Sequence, residues 1–216
     1  MFKLFGFWRS LATYRVRIAL SLKGLPWQED LVDLLEGEQF AGEVAKYNPH
    51  HAVPILIVDS NVFTQSLAIL EYLEERYPEP ALLPLGAVAR AHIRAFALIS
   101  ISDSHPLTVP RARKRLTEQF GASDDDIAAW AKNWQTLALE AMERQLESRA
   151  MGSSFCFGEA PGLADIALAS HIAGAANFGT PIDRFPIAAD INRRCHELAA
   201  FSETAPLAIL AKSEKT

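Results

Sequence analysis

The stretch PILIVDSNVFTQSLAILEYLEER, residues 54–76, decides how the first third of this chain folds. β-branched residues flank the turn formers Asp59, Ser60 and Asn61, a pattern that predicts two strands joined by a tight turn. From Ser66 to Arg76 the period changes. Leu67, Leu70 and Leu73 recur on one helical face, while Glu71, Glu74 and Glu75 fall on the other. Upstream, KLFGF (3–7) reads as a short strand. Tyr14 to Lys23 reads as a helix whose apolar face is Val16, Ile18, Ala19 and Leu22, with Arg15 and Arg17 off that face. Gly24 supplies its C-terminal stop, with Pro26 beyond. WQEDLVDL (27–34) predicts a second strand, and Gln39 to Lys46 a short helix. The order that emerges is βαβαββα.

Downstream, three prolines and a glycine fall within YPEPALLPLG (77–86), and strand signals nearly vanish beyond it. Residues 1–80 are therefore read as an α/β domain, 81–86 as a linker, and 87–216 as an all-helical domain. Apolar residues recur at helical spacing from Ala87 to Phe120, ending at Gly121. Ser123 with Asp124, Asp125 and Asp126 opens another helix, which runs to about Arg149, because an acidic first turn suits the positive end of the helix dipole. ADIALASHIAGAANF (164–178) and Ile187 to Phe201 supply two more.

Half of the 216 residues are apolar, 22% are charged, and the formal charge is −5. A nucleic-acid binder normally carries a basic surplus, so that class is disfavoured. Only two cysteines occur, Cys156 and Cys195, in no metal-like spacing, which fits a reducing compartment. Neither a signal peptide nor a membrane-spanning run is read, so a soluble cytoplasmic protein is expected.

Three features of the first domain carry chemistry. Ser10 precedes a helix, where a serine caps the amides; a hydroxyl in that place also has the means to hold a thiolate, which the helix start favours. Val53-Pro54 opens a strand, and a cis peptide there turns the Val53 backbone toward an extended ligand. Gln65 and Ser66 stand at the start of a helix that suits a carboxylate, with Ser66 read as a simple N-cap.

In this order and spacing the three features resemble the glutathione transferases. FWRSLATYRVRIALSLKGLPW, NPHHAVPIL, QSLAILEYLEERYPEPALLP and FGEAPGLADIALA are similar to the zeta class, which includes maleylacetoacetate and maleylpyruvate isomerases. DSHPLTVPRARKRLTEQFGASDDDIAAW is similar to the maleylpyruvate branch. The resemblance implies a thioredoxin-like domain that binds glutathione as cosubstrate, a helical domain for a small electrophile, a homodimer, no metal and no membrane. It makes Ser10 the thiolate-holding catalytic residue. It gives glutathione contacts to His50, Val53, Pro54, Gln65, Ser66 and His105, and a substrate pocket to Arg9, Leu11, Arg15, Arg111 and Phe178.

The chain also departs from the zeta pattern. Leu11 and Ala12 stand where a second serine and a cysteine or threonine follow the first serine, leaving Thr13 as a reserve hydroxyl. Asn177 replaces an arginine that clamps the diacid in the isomerases, and Arg111 is displaced by one position from its counterpart. Gly162 takes the cap position of a buried helix whose Asp165 is kept. The loss of anion-binding groups makes thiolate addition to a more apolar electrophile the leading expectation. The alternatives are glutathione-dependent cis–trans isomerisation of maleylacetoacetate or maleylpyruvate, and glutathione binding without turnover.

Overall fold

The structure, a computed structural model, describes residues 1–149 and 153–213. It divides into two compact units. The first holds residues 1–82 together with the described residues from Leu198 onward, and the second holds residues 83–197.

In the first unit, β1 (Phe2–Gly6), β2 (Trp27–Leu31), β3 (Ile55–Val58) and β4 (Asn61–Thr64) form one sheet in the order β2-β1-β3-β4. β1 and β2 run parallel through the crossover α1 (Leu11–Leu22), and the other neighbours are antiparallel. Phe5 pairs with Ile55 and Leu4 with Leu56. Because side chains alternate along a strand, these pairs serve opposite faces. Phe5 and Ile55 join Phe7, Val32, Val53 and Val44 of α2 (Gly42–Tyr47) in one apolar cluster, while Leu4 and Leu56 are wholly buried on the other face. The β3–β4 turn is tighter than expected: Val58 pairs with Asn61, so Asp59 and Ser60 alone make it, with Asp59 in left-handed backbone (φ 56°). α3 (Ser66–Arg76) follows.

The helical reading of α1 holds, but its burial does not follow the expected face. Arg15 and Arg17 are 2% and 0% exposed. Arg15 is held at the head of α3, with Nε 3.1 Å from Ser66 Oγ, and Arg17 against Glu29 of β2, with Nη2 2.6 Å from Oε1. On the same helix α10 (Ala199–Ser202) packs against α1, and the Phe201 carbonyl accepts the Tyr14 hydroxyl at 3.0 Å. The described residues after 197 thus belong with the α/β unit, not with the helical domain expected to run to 216. α11 (Pro206–Ser213) follows α10.

Glu74 also departs from its expected outward place and is 5% exposed. Its Oε2 accepts from Lys23 Nζ at 3.0 Å and from Leu82 N at 2.8 Å. Lys23 Nζ further donates to the carbonyls of Tyr77 and Pro80, at 2.6 and 2.9 Å. This buried ammonium pins the proline-rich segment to the end of α1, and Leu82 and Leu83 are buried rather than lying free in a linker.

The second unit is helical: α4 (Ala87–Leu98), a π-helical turn (Ile99–Ser104), α5 (His105–Thr108), α6 (Pro110–Phe120), α7 (Asp124–Glu147), α8 (Leu163–Ala176) and α9 (Pro186–His196). The single apolar pattern over 87–120 is broken twice, each time at a proline. Pro106 has no N–H to continue an α-helix, and the preceding turn widens so that His105 N bonds to Ser100 O. Pro110 holds Val109 extended (ψ 154°). α7 opens on Ser123, whose Oγ accepts from Asp126 N while Asp126 accepts from Ser123 N. α8 is buried almost throughout, with Asp165 accepting from Gly162 N at 2.9 Å and from Cys156 N at 2.8 Å. Among the described residues, no helix is long and apolar enough to cross a membrane.

Removing one partner of a buried ion pair strands the other charge, at a cost of about 3–5 kcal/mol. Glu74→Ala is therefore expected to lower the unfolding free energy by about that much in urea titration. Glu75→Ala, at an exposed site one residue away, should stay within about 0.5 kcal/mol of the parent.

Candidate active site

The loop between β1 and α1 is built around a buried cation. Arg17 Nε lies 3.0 Å from both Glu29 carboxylate oxygens, and Nη2 lies 2.6 Å from Oε1. The remaining N–H groups reach the carbonyls of Phe7 (3.2 Å) and Trp8 (3.4 Å). Gly6 makes room for this clamp: a Cβ there would lie 2.4 Å from Glu29 Oε1 and 2.4 Å from Thr13 Cγ2. With the Phe7 and Trp8 carbonyls held by the guanidinium, the chain turns (Ser10 N to Phe7 O, 3.0 Å) and presents Ser10 at the head of α1.

Ser10 is the N-cap of α1, as the capping interpretation expects; its Oγ accepts from Thr13 N at 3.1 Å. A hydroxyl has two acceptor lone pairs and one proton, so capping leaves the O–H free to donate. Capping and thiolate stabilisation are therefore compatible uses of one side chain. Thr13 offers no reserve, because it is wholly buried facing Gly6. Leu11 is 9% exposed and mostly packed away, whereas Arg9 is exposed.

At the head of β3 the Val53–Pro54 peptide is cis, and among the described residues the Val53 N–H and C=O make no hydrogen bond. Asn48 holds this approach: its Nδ2 donates to the Ala52 carbonyl at 2.8 Å, and its Oδ1 accepts from His50 N at 3.0 Å. His50 is exposed. The adjacent His51 turns inward, with Nδ1 3.1 Å from the Gln39 carbonyl and its ring against Phe40.

The head of α3 differs from the expected cap. Ser66 is the first helical residue, and the N-cap is Gln65, exposed and in left-handed backbone (φ 66°). Gln65 makes no side-chain capping bond, so the first amides of α3 stay open to an anion. Beneath them Arg15 Nε donates to Ser66 Oγ at 3.1 Å. Burial pushes the Arg15 guanidinium down to about 9, which leaves it protonated at neutral pH. This corrects the assignment of Arg15 to the electrophile pocket: it is buried at the Gln65-Ser66 helix start, where its charge reinforces the helix dipole.

In the helical unit, His105 is half-buried where the π-helical turn meets α5. Arg111 is exposed, and the arginine that reaches Phe178 is Arg113, whose guanidinium carbon lies 5.5 Å from that ring centroid. Asn177 is exposed and donates to the Ala173 carbonyl. Burial pushes the thiols of Cys156 and Cys195 up, which disfavours their thiolates.

The family model "Glutathione S-transferase, N-terminal domain" matches residues 4–81. A maleylpyruvate isomerase from Ralstonia sp. is 38% identical over 206 residues, covering 95% of this chain and 97% of the relative. The chain belongs to the glutathione transferase family. The holo structure of a maleylpyruvate isomerase, described as a bacterial zeta-class glutathione S-transferase, superposes with TM-score 0.92 at 38% identity, covering 95% of this chain and 97% of that one. A maleylacetoacetate isomerase from Methylobacterium extorquens with bound malonate and GSH gives TM-score 0.91 at 38% identity, with the same coverages. The protein is accordingly a zeta-class glutathione transferase, an enzyme with the thioredoxin-like and helical architecture of that class.

Ser10 and Arg15 thus share one helix of this transferase, and Arg15 joins Ser66, while Arg9, His50 and Gln65 lie exposed. Sequence reasoning missed Gly6, Arg17, Glu29 and Arg113. The first three become visible only when two strands are paired, and Arg113 only once a proline has set the phase of α6.

Gly6→Ala forces the Arg17–Glu29 clamp or Thr13 to move. Overpacking of this kind costs about 1–3 kcal/mol. The expected result is a melting temperature lower by several degrees and weaker glutathione binding by calorimetry, since the displaced loop carries Ser10.

Proposed function

We propose that this transferase isomerises a maleyl-type diacid, using glutathione as the cosubstrate that supplies the sulfur. The observation that carries the reading is the Ser10 hydroxyl at the head of α1, with its acceptor side on Thr13 N and its proton uncommitted. A free thiol has a pKa of about 8.5, so a neutral-pH enzyme gains from a donor that favours the anion.

The residues of the α/β unit fit the three chemical parts of the tripeptide. Ser10 and the first amides of α1 favour the thiolate. The Val53 backbone at the cis-Pro54 bend suits the extended cysteinyl amide. The open amides of α3, with Gln65, Ser66 and the buried Arg15, suit the γ-glutamyl carboxylate. His50 serves the glycyl end, and His105 is the helical unit's candidate glutathione contact. The chemistry that glutathione brings is addition of sulfur to one alkene carbon, rotation about the resulting single bond, and departure of sulfur with the trans double bond re-formed. No net proton or electron is exchanged. The protein must stabilise the enolate formed between the two carbon–sulfur steps and hold the carboxylates.

The choice of reaction follows the relatives, which are named as isomerases of maleylpyruvate and maleylacetoacetate, one of them holding malonate with GSH. This reverses the leading expectation from sequence, which put general conjugation first because Asn177 lacks a charge. Arg113 supports the reversal. Its guanidinium lies over the ring of Phe178, next in sequence to Asn177, and brings a positive charge from another helix to the place where the zeta arginine is missing. Arg9 is a second candidate cation, and Arg111, exposed on the first turn of α6, a third. Simple conjugation remains the second reading, favoured by the neutral Asn177. In either case the protein is read as a cytoplasmic homodimer.

Ultraviolet titration of bound glutathione tests the sulfur half. Ser10→Ala should raise the bound thiol's pKa toward the free value. It should also lower kcat/KM about 10- to 100-fold, the worth of one hydrogen bond to an ionised partner. An unchanged thiol pKa would remove Ser10 from the chemistry. The diacid half is tested by Arg113→Gln, expected to raise KM about tenfold or more for a maleyl diacid and to leave KM for an uncharged aryl halide unchanged. Equal effects on both substrates would refute a carboxylate-binding role.

A further inference from the structure

His171 is a buried polar residue for which the proposed chemistry has no use. It sits on α8 at 1% exposure. Its Nε2 lies 3.1 Å from the Gln135 carbonyl and its Nδ1 lies 3.2 Å from Ser100 Oγ. A carbonyl oxygen only accepts, so Nε2 carries the hydrogen; in the neutral ring Nδ1 then accepts from the Ser100 hydroxyl. Ser100, also 1% exposed, is the second residue of the π-helical turn. Its own carbonyl accepts the His105 N–H, the i→i−5 bond that defines the turn's last step. One residue is thus gripped by His171 through its side chain and holds His105 through its main chain.

The far side of the turn is tied to the same helix. Gln135, wholly buried, gives its carbonyl to His171 and its Nε2 to Thr108 Oγ1 at 3.3 Å, and Thr108 Oγ1 donates to the His105 carbonyl at 3.1 Å. Ser104 Oγ donates to the Trp134 carbonyl at 3.1 Å, and Trp130 Nε1 donates to the Leu107 carbonyl at 2.8 Å. A π-turn has an extra residue relative to an α-turn and is rare without such support. Loss of that residue from the turn would rotate everything after it by about 100° about the helix axis, one residue's share of a 3.6-residue turn. His105 is the first residue to be carried round.

We propose that His171 is a positioning residue: through Ser100 and Gln135 it keeps the π-helical turn in register and so sets the direction of the His105 imidazole. The consequence for activity rests on the reading of His105 as a glutathione contact; the structural claim does not.

The test uses the full-length enzyme with His171→Leu, which removes the bonds to Ser100 and Gln135, His171→Gln, which keeps one N–H donor and one acceptor, His105→Ala, and the Leu/Ala double variant. Ser100→Ala, which severs only the Nδ1 bond, substitutes if the leucine variant does not fold. In His171→Leu the His105 amide should lose hydrogen-exchange protection, and KM for glutathione should rise at least threefold, matching His105→Ala. The double variant should be no worse than either single one, and His171→Gln should recover to within twofold. Retained protection of the His105 amide in His171→Leu would overturn the proposal, as would effects of the two substitutions that multiply. If His105→Ala leaves glutathione KM unchanged while His171→Leu still deprotects the amide, the assignment of His105 fails and the positioning role of His171 stands.

Discussion

A guanidinium with no exposed surface stands behind the loop that presents Ser10. Arg17 is bonded to Glu29 on the neighbouring strand and to the carbonyls of Phe7 and Trp8. A buried ion pair of this kind is poor evidence for stability, since desolvation offsets much of its attraction and apolar residues of similar volume often do as well. What apolar residues cannot do is bind two successive carbonyls. Turning those oxygens toward the guanidinium fixes the peptide planes before Ser10, and the cap on Thr13 N fixes Ser10 itself. The geometry of one hydroxyl thus depends on a charge on β2, a crossover helix and a glycine with no room for a Cβ.

The elements of the α/β unit were legible because their signals are local. The turn formers at 59–61, the period change at Ser66 and the glycine stop at Gly24 each depend on a few neighbouring residues. Burial of charge was not legible. Arg15, Arg17 and Glu74 sit at positions that periodicity assigns to solvent, yet partners distant in sequence enclose each one. The same limit explains the C-terminal segment, which composition joins to the helical domain and which packs on α1 instead. At the candidate site the helix starts and the Val53-Pro54 bend were legible, while the surroundings of each side chain depended on contacts. Ser66 proved to be the first helical residue rather than the cap, and Arg113 rather than Arg111 was the arginine at Phe178.

Charge in the helical unit bears on the choice between conjugation and isomerisation. Reading position 177 alone argues against a diacid, because an amide makes no bidentate, ionised pair with a carboxylate. A pocket's charge is a property of the space, however, and not of one sequence position. In the proposed diacid reaction the guanidinium that α6 brings against Phe178 is the candidate for the missing cation, from another helix than the one that carries Asn177.

Sulfur chemistry also requires that the wrong sulfur stay silent. Both thiols of this chain are buried, and burial raises their pKa values; Cys156 moreover has the Asp165 carboxylate beside it, which opposes a second negative charge. Ser10, by contrast, is only half-buried, at the positive end of a helix, with a proton to donate. The two environments differ in the sign of their effect on an ionising thiol. A protein that disfavours its own thiolates while building a donor for another suits a sulfur that arrives with a small molecule and leaves with it.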